Sequence, residues 1–348
     1  MKGRKRERKS DYVNPNGLGQ KIRDFFYDIS VGVHNRLPKK NVKSATKGKR
    51  NEALFFHLLI ILPLLQFALM YVYVNINSVL LAFQTYDVFT GKFVLNAGFS
   101  NFQTVFAELF SSSGTLGVAF KNSVTMYLVS LLVVMPLALL FSYYMYKKNF
   151  LTETFRVILF LPSIITPVVL ASIYMILMDQ GVPSLLQKIQ GGDLQLGLIS
   201  RDDTRFTTLL CFYVLTCFGT NVLMYTNAMS QISESVVEAA QLDGASMLQE
   251  FFYISLPLIY PTLTTFLTVG IVDIFVGQMH LFAFFGGGAE ISDYTIGYYL
   301  YILSKDKSAT SDMYPFAATM GIIFSLVAIP VTLVLRWAFE KFGPQTDM

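Results

Sequence analysis

The chain has 348 residues, 53% of them hydrophobic and only 14% charged, with a mean hydropathy of +0.49 and a formal net charge of +4. That balance is too apolar for a soluble globular domain of this length, so soluble enzymes and soluble binding modules are excluded. Fifteen of the 27 lysines and arginines crowd into residues 1–50, where a basic membrane flank explains them better than a nucleic-acid-binding arm.

In chain order, residues 1–52 read as a basic arm with no cleavable apolar core, so no signal peptide is expected. Leu18, Ile22, Phe25, Ile29 and Val33 recur every three or four residues within it, a pattern suited to an amphipathic helix lying on a membrane surface. Six apolar stretches follow, each long enough to cross about 30 Å of hydrocarbon at about 1.5 Å per residue. They run approximately Ala53–Ile76, Asn122–Tyr146, Phe155–Met178, Phe206–Met229, Thr262–Phe285 and Tyr314–Trp337. Pro63, Pro136, Pro162, Pro167 and Pro330 fall inside them, which packed membrane helices tolerate as kinks. A tail, residues 343–348, ends the chain. The expected architecture is an all-α membrane protein with one six-span domain, residues 53–342.

Six spans place both termini on one side. With the amino terminus cytoplasmic, the inside segments hold 20 basic residues and the outside loops 7, as the positive-inside rule requires. The loop at residues 230–258 is the exception. It has no basic residue and carries Glu234, Glu238, Asp243 and Glu250, which reads as a surface for a basic partner.

That loop contains Glu238-Ala239-Ala240, then Gly244, then Ile254-Ser255-Leu256-Pro257. A chance match to seven residues at set intervals is on the order of one in a million at ordinary residue frequencies. Ser235-Val236-Val237-Glu238 has the form of a capping box opening a helix, and Ser246-Met247-Leu248-Gln249 that of a second. Gly244 permits the left-handed turn between them, and Pro257 ends the pattern. Met247, Phe251 and Ile254 are expected to turn back toward the membrane. A short helix with small residues and exposed carboxylates at Glu238 and Asp243 suits a groove on another protein.

At these residues the chain resembles the inner-membrane permease subunits of bacterial binding-protein-dependent ABC importers, of the maltose and glycerol-phosphate sugar type. The resemblance covers about Ala53 to Phe342. It takes in Ala97-Gly98-Phe99-Ser100-Asn101-Phe102 after the first span, Phe155 to Pro162 in the third, and Gly286-Gly287-Gly288 after the fifth. Ala289 stands where the family usually has proline, and Gln278-Met279-His280 where many relatives have an aromatic residue and an aspartate.

The resemblance implies a type I importer fold in the bacterial cytoplasmic membrane. It implies a coupling helix at Glu238, Ala239, Ala240, Asp243, Gly244, Ile254, Leu256 and Pro257, with the residue matching Glu238 meeting a basic partner in an ATPase cleft. The implied partners are two ABC ATPase subunits, a second and different permease, an extracytoplasmic binding protein and a sugar or oligosaccharide. ATP and Mg belong to the ATPase subunits: this sequence has no Gly-x-x-x-x-Gly-Lys-Ser/Thr loop and calls for no cofactor.

A sugar pathway needs hydrogen-bonding groups and aromatic faces. Asn221 and Tyr225, four residues apart in the fourth stretch, share a helix face, and Gln278 and His280 stand in the fifth. Asp273 lies seven residues before His280 and is the one acid deep within these stretches. An intramembrane ionisable pair also fits a proton-coupled transporter, or a structural contact with a neighbouring subunit. Cys211 and Cys217, about 9 Å apart along one helix, are too distant for a disulfide and have no metal spacing. No metal site is expected, and His34, His57 and His280 are too scattered for a membrane-embedded enzyme.

Overall fold

The computed structural model describes residues 47–344 except 88, 96–98, 112–113, 191–195 and 306–312. The amphipathic pattern from Leu18 to Val33, with Ala97 and Gly98 of the segment after the first span, lies outside the described residues. The chain divides into two compact units, Met1–Val72 and Tyr73–Met348. In the first, α1 (Lys47–Gln66) carries Pro63 and continues as a wide π turn from Phe67.

The second unit is built of helices, with one hairpin that hydropathy did not indicate. After α2 (Val74–Ala82) come strands β1 (Gln84–Asp87) and β2 (Lys92–Leu95), antiparallel with Gln84 opposite Leu95 and Asp87 opposite Lys92. Next are α3 (Ser100–Leu109), α4 (Thr115–Val129), α5 (Met135–Tyr146), α6 (Thr152–Ile164), α7 (Pro167–Ile176) and α8 (Val182–Gln190). Asn101 secures the start of α3 by donating to the carbonyls of Ala82 and Gln84 at 2.9 and 2.8 Å. The remaining helices are α9 (Asp202–Met229), α10 (Glu234–Leu242), α11 (Met247–Glu250), α12 (Leu256–Leu258), α13 (Tyr260–Val276), α14 (Leu281–Phe285), α15 (Ile296–Lys305) and α16 (Met313–Phe342).

Six helical segments are long and apolar enough to cross a membrane: Phe55–Ala82, Thr115–Tyr146, Pro167–Ile189, Asp202–Met229, Tyr260–Phe285 and Met313–Phe342. The count agrees with the sequence, and four of them differ from expectation in where they end, Asp202–Met229 and Met313–Phe342 among them by running further into charged residues. Hydrogen bonding along a helix continues past the edge of the hydrocarbon, where hydropathy falls away.

The other two spans are not the unbroken helices expected. The stretch Phe155–Met178 is split at Ile165–Thr166, both extended, between α6 and α7. The ring of Pro167 excludes Thr166 from helical geometry, while Pro167 itself fits the first turn of the next helix. The stretch Thr262–Phe285 is split after Val276. Gly277 is extended, and Met279 and His280 adopt left-handed φ of 48° and 57° before α14 begins.

Three apolar clusters hold the second unit together. One joins Met126, Tyr174, Leu209, Phe212, Met279 and Phe284 around the break at 277–280. A second joins Ala138, Met145, Val222, Tyr225, Met229 and Leu263. The third joins Val105, Leu116, Ile296, Met320 and Phe324. Small residues permit the closest helix contacts. A Cβ on Gly219 of α9 would lie 2.6 Å from the Leu159 carbonyl oxygen of α6, so only glycine fits there.

Candidate functional site: a two-helix loop and a polar cavity

Between α9 and α13 the chain makes the predicted helix, turn and return helix. Gly244 has φ +79°, and its amide donates to Gln241 O at 3.1 Å while the Ala245 amide donates to Ala240 O at 3.0 Å. These paired bonds close the end of α10 in a Schellman turn. Ser246 caps α11: its amide donates to Gln249 Oε1 at 2.8 Å, and its hydroxyl accepts from the Gln249 amide at 3.4 Å. Glu238, Ala239 and Asp243 are exposed, and Ala240 is buried against the bundle.

Three expectations for this loop are corrected. Ser235 is not a cap, because α10 starts one residue earlier at Glu234 after Ser233, and Ser235 Oγ instead meets Ser233 Oγ at 2.7 Å. Pro257 does not end the return helix. A wide turn over Phe251–Ser255 accommodates it, and the chain stays helical to Leu258 before turning at Ile259. Of the apolar residues, Phe251 is buried and Ile254 half-buried, but Met247 is exposed. Glu250 also leaves the acidic surface. It is 3% exposed and pairs with Lys147 Nζ at 2.5 Å.

Within the bundle, α9 and α13 together with α4, α6 and α7 line an open cavity of about 520 Å³. Asn221, Tyr225, Asp273 and His280 all border it. The Tyr213 hydroxyl donates to Asp273 Oδ2 at 3.3 Å, and Thr216 Oγ1 lies 3.3 Å from His280 Nε2. Phe212 meets the imidazole edge-on, with ring centres 5.5 Å apart. The left-handed backbone at His280 carries this side chain to the cavity wall, where a straight helix would have continued past. Tyr225 borders the cavity but is 2% exposed, its ring set against Phe266 at 5.2 Å. Gln278 is not on this wall. It lines an adjoining recess that shares Tyr213, Cys217, Asp273 and His280 with the cavity.

Sequence reasoning missed Tyr213, Thr216 and Thr220. They recur at intervals of three and four on a stripe of their own, about 100° around the helix from Asn221, so extending the Asn221–Tyr225 face would not have found them. It also missed an ion cluster at the amino-terminal end of α9. The Arg205 guanidinium is buried, donates to Ile199 O at 2.9 Å, and pairs with Asp202, with Glu290 at 2.6 Å and with Asp293 at 3.4 Å. Burial pushes the Asp293 carboxyl above the usual carboxylate range, against the opposing pull of Arg205. No signal short of tertiary structure links residues 85 positions apart.

Six candidate spans, a two-helix loop between the fourth and fifth, and a cavity among the spans that sets a few polar groups in an apolar lining define a multi-pass membrane protein built to pass a solute. The family model described as binding-protein-dependent transport system inner membrane component matches residues 134–346, and the chain belongs to that family. It is 23% identical to an arabinooligosaccharides transport system permease protein of Halalkalibacterium halodurans, over 80% of this chain and 86% of the relative. It is also 23% identical to a polygalacturonan/rhamnogalacturonan transport system permease protein of Bacillus subtilis, over 82% and 88%. Among solved structures, it superposes with a TM-score of 0.68 on a chain of a bacterial ABC transporter involved in import of the acidic polysaccharide alginate. That match has 23% identity and covers 85% of this chain and 98% of the other, showing a shared fold.

Proposed function

We propose that this chain forms one half of the translocation pathway of an ABC importer for a sugar or oligosaccharide, and that the loop Glu238–Pro257 couples it to a separate ATPase. One observation carries the coupling reading. The loop presents a rigid helix, closed by the Gly244 turn, whose exposed side combines small Ala239 with the carboxylates of Glu238 and Asp243. Such a helix fits a groove with a basic residue at its rim. The charge count supports a cytoplasmic side for this loop and both termini, the side on which the ATPase subunits bind ATP and Mg. A second, different permease completes the cavity, and an extracytoplasmic binding protein delivers the cargo. ATP-driven closure of the ATPase pair draws the coupling helices together and turns the cavity outward. Hydrolysis then resets it.

The cavity lining supports a sugar cargo. It supplies hydroxyls of Tyr213, Thr216 and Thr220 and the amide of Asn221. It includes the carboxylate of Asp273 and, among the described residues, no lysine or arginine, so this half favours neutral saccharides over uronic acid chains. Asp273 and His280 are both held by neighbours in the cavity wall, which supports polar contacts to cargo over a proton relay.

Purifying the tagged chain from its host should recover an ATPase, a second six-span permease and a binding protein. In proteoliposomes, neutral oligosaccharides with the binding protein should stimulate ATP hydrolysis. Uptake that collapses with an uncoupler while ATP is held constant would overturn the importer reading. Normal assembly and transport by Glu238→Lys and Gly244→Asp would overturn the docking role of the loop.

A further inference from the structure

The loop after the fourth span has two parts that differ in how they are held. In α10 only Ala240 is buried. The return helix, by contrast, is gripped by the end of α5 at several consecutive points. The Tyr143 hydroxyl donates to Met247 O at 3.0 Å, and the Tyr143 and Phe251 rings lie 5.0 Å apart. Lys147, the residue that ends α5, sets its ammonium 2.5 Å from Glu250 Oε1. Both side chains are largely withdrawn from solvent, at 14% and 4% exposure. The ammonium also sits 5.7 and 5.8 Å from the ring centres of Tyr143 and Tyr146.

A buried ion pair is a poor way to gain stability, because desolvating two charges offsets most of their attraction and an apolar pair does as well. Its distinctive property is direction: among the described residues Lys147 alone forms an ion pair with Glu250. A sliding apolar contact would let α11 shift along α5, whereas this pair makes the two move as one.

We infer that Lys147 and Glu250 are positioning residues that transmit displacement of the loop into the second membrane span. The inference rests on the docking role proposed for the loop. With α10 seated on an ATPase, the push arrives at α11 through the Gly244 turn and the Ser246 cap. The ion pair passes it to α5, whose continuation through Ser130–Val134 into α4 brings Tyr127, Ser130 and Met135 to the cavity wall. Docking and anchoring are thus divided between the two halves of one loop.

The test uses the complete transporter, with its ATPase, second permease and binding protein, in proteoliposomes. Glu250→Gln, Lys147→Met and the exchange Lys147→Glu with Glu250→Lys are compared by substrate carried per ATP hydrolysed. The single changes should assemble with the ATPase yet lower that ratio about ten-fold, and the exchange should restore most of it. Ratios within two-fold of the unaltered protein in both single variants would overturn the inference. So would an exchange no better than the singles. If the singles fail to assemble, the exchange decides: restored assembly and ratio support the pair, while failure of all three assigns it a structural role and overturns the proposal. Glu238→Lys is measured alongside. Transport unaffected by that change sinks the docking role itself, whereas loss of ATPase binding there, with normal Glu250→Gln, sinks only the ion-pair inference.

Discussion

Gly297, in the first turn of α15, lies against the broken end of the fifth span. A Cβ built on it would stand 2.2 Å from the Val276 carbonyl oxygen, 2.4 Å from the Val276 carbonyl carbon and 2.7 Å from Gly277 O. All three are backbone atoms, so no side-chain rotation relieves the clash. Reaching even 3.0 Å requires α15 and the end of α13 to part by about 0.8 Å, in an interior packed too closely to yield freely. That movement stretches the bond from Thr295 Oγ1 to Gly277 O, now 2.8 Å. Gly297→Ala should therefore cost about 1–3 kcal/mol in overpacking and about 1 kcal/mol for the lost hydrogen bond. Gly321 of α16 is the internal control, since a Cβ there meets nothing within 4 Å. Gly321→Ala should be neutral or stabilising by up to about 1 kcal/mol, because alanine is the better helix former. Thermal unfolding of the purified chain in detergent should separate the two variants by several degrees. Since the same segment holds His280 at the cavity, Gly297→Ala should also lower substrate-stimulated ATP hydrolysis in the complete transporter. Equal melting temperatures for the two variants would refute the packing argument.

Two further outcomes follow from the ion cluster and the loop. Arg205→Met leaves Asp293 buried without its counter-charge and should cost about 3–5 kcal/mol. Because the folded carboxyl holds its proton more tightly than the unfolded one, that loss should shrink as the pH falls into the usual carboxylate range and grow as it rises. Adding Asp293→Asn should recover most of the loss, and a double variant no more stable than the single would contradict the assignment. Ser246→Ala removes the hydroxyl half of the cap on α11 and should cost the loop about 1 kcal/mol, read as faster amide exchange over Met247–Phe251.

The class of the protein was legible because a membrane leaves so few options. Without water to satisfy the backbone, an apolar run of some twenty residues becomes helical, and six such runs required six helical spans, broken or not. The loop was legible for a similar local reason. Gly244 and the Ser246–Gln249 cap act through bonds spanning a few residues, so their spacing already specifies the turn. The Ser235 cap was misread because its Ser-x-x-Glu pattern competes with Ser233, which stands two positions earlier and immediately precedes the helix, leaving Ser235 inside its first turn. Pro257 was misread because a wide turn can absorb a proline that a regular helix could not.

What tertiary structure alone decided has a common cause, which is contact between groups distant along the chain. Thr295 Oγ1 donates to Gly277 O at the break, and Ser123 Oγ, accepting from the Ile296 amide, anchors the segment that carries Thr295. Asn122 adds two bonds to the carbonyls of Ser292 and Tyr294. No hydropathy pattern records these, so the fifth stretch reads as one helix although its neighbours open it and turn His280 to the cavity. Glu250 shows the same limit. Its sequence neighbours place it on an acidic surface, and only the arrival of Lys147, 103 residues away, makes it a buried anchor. The apolar pattern of the chain settled how many times it spans the membrane and where the loop turns. Packing settled the break in the fifth stretch, because a helix end there is paid for by partners that another part of the chain must bring.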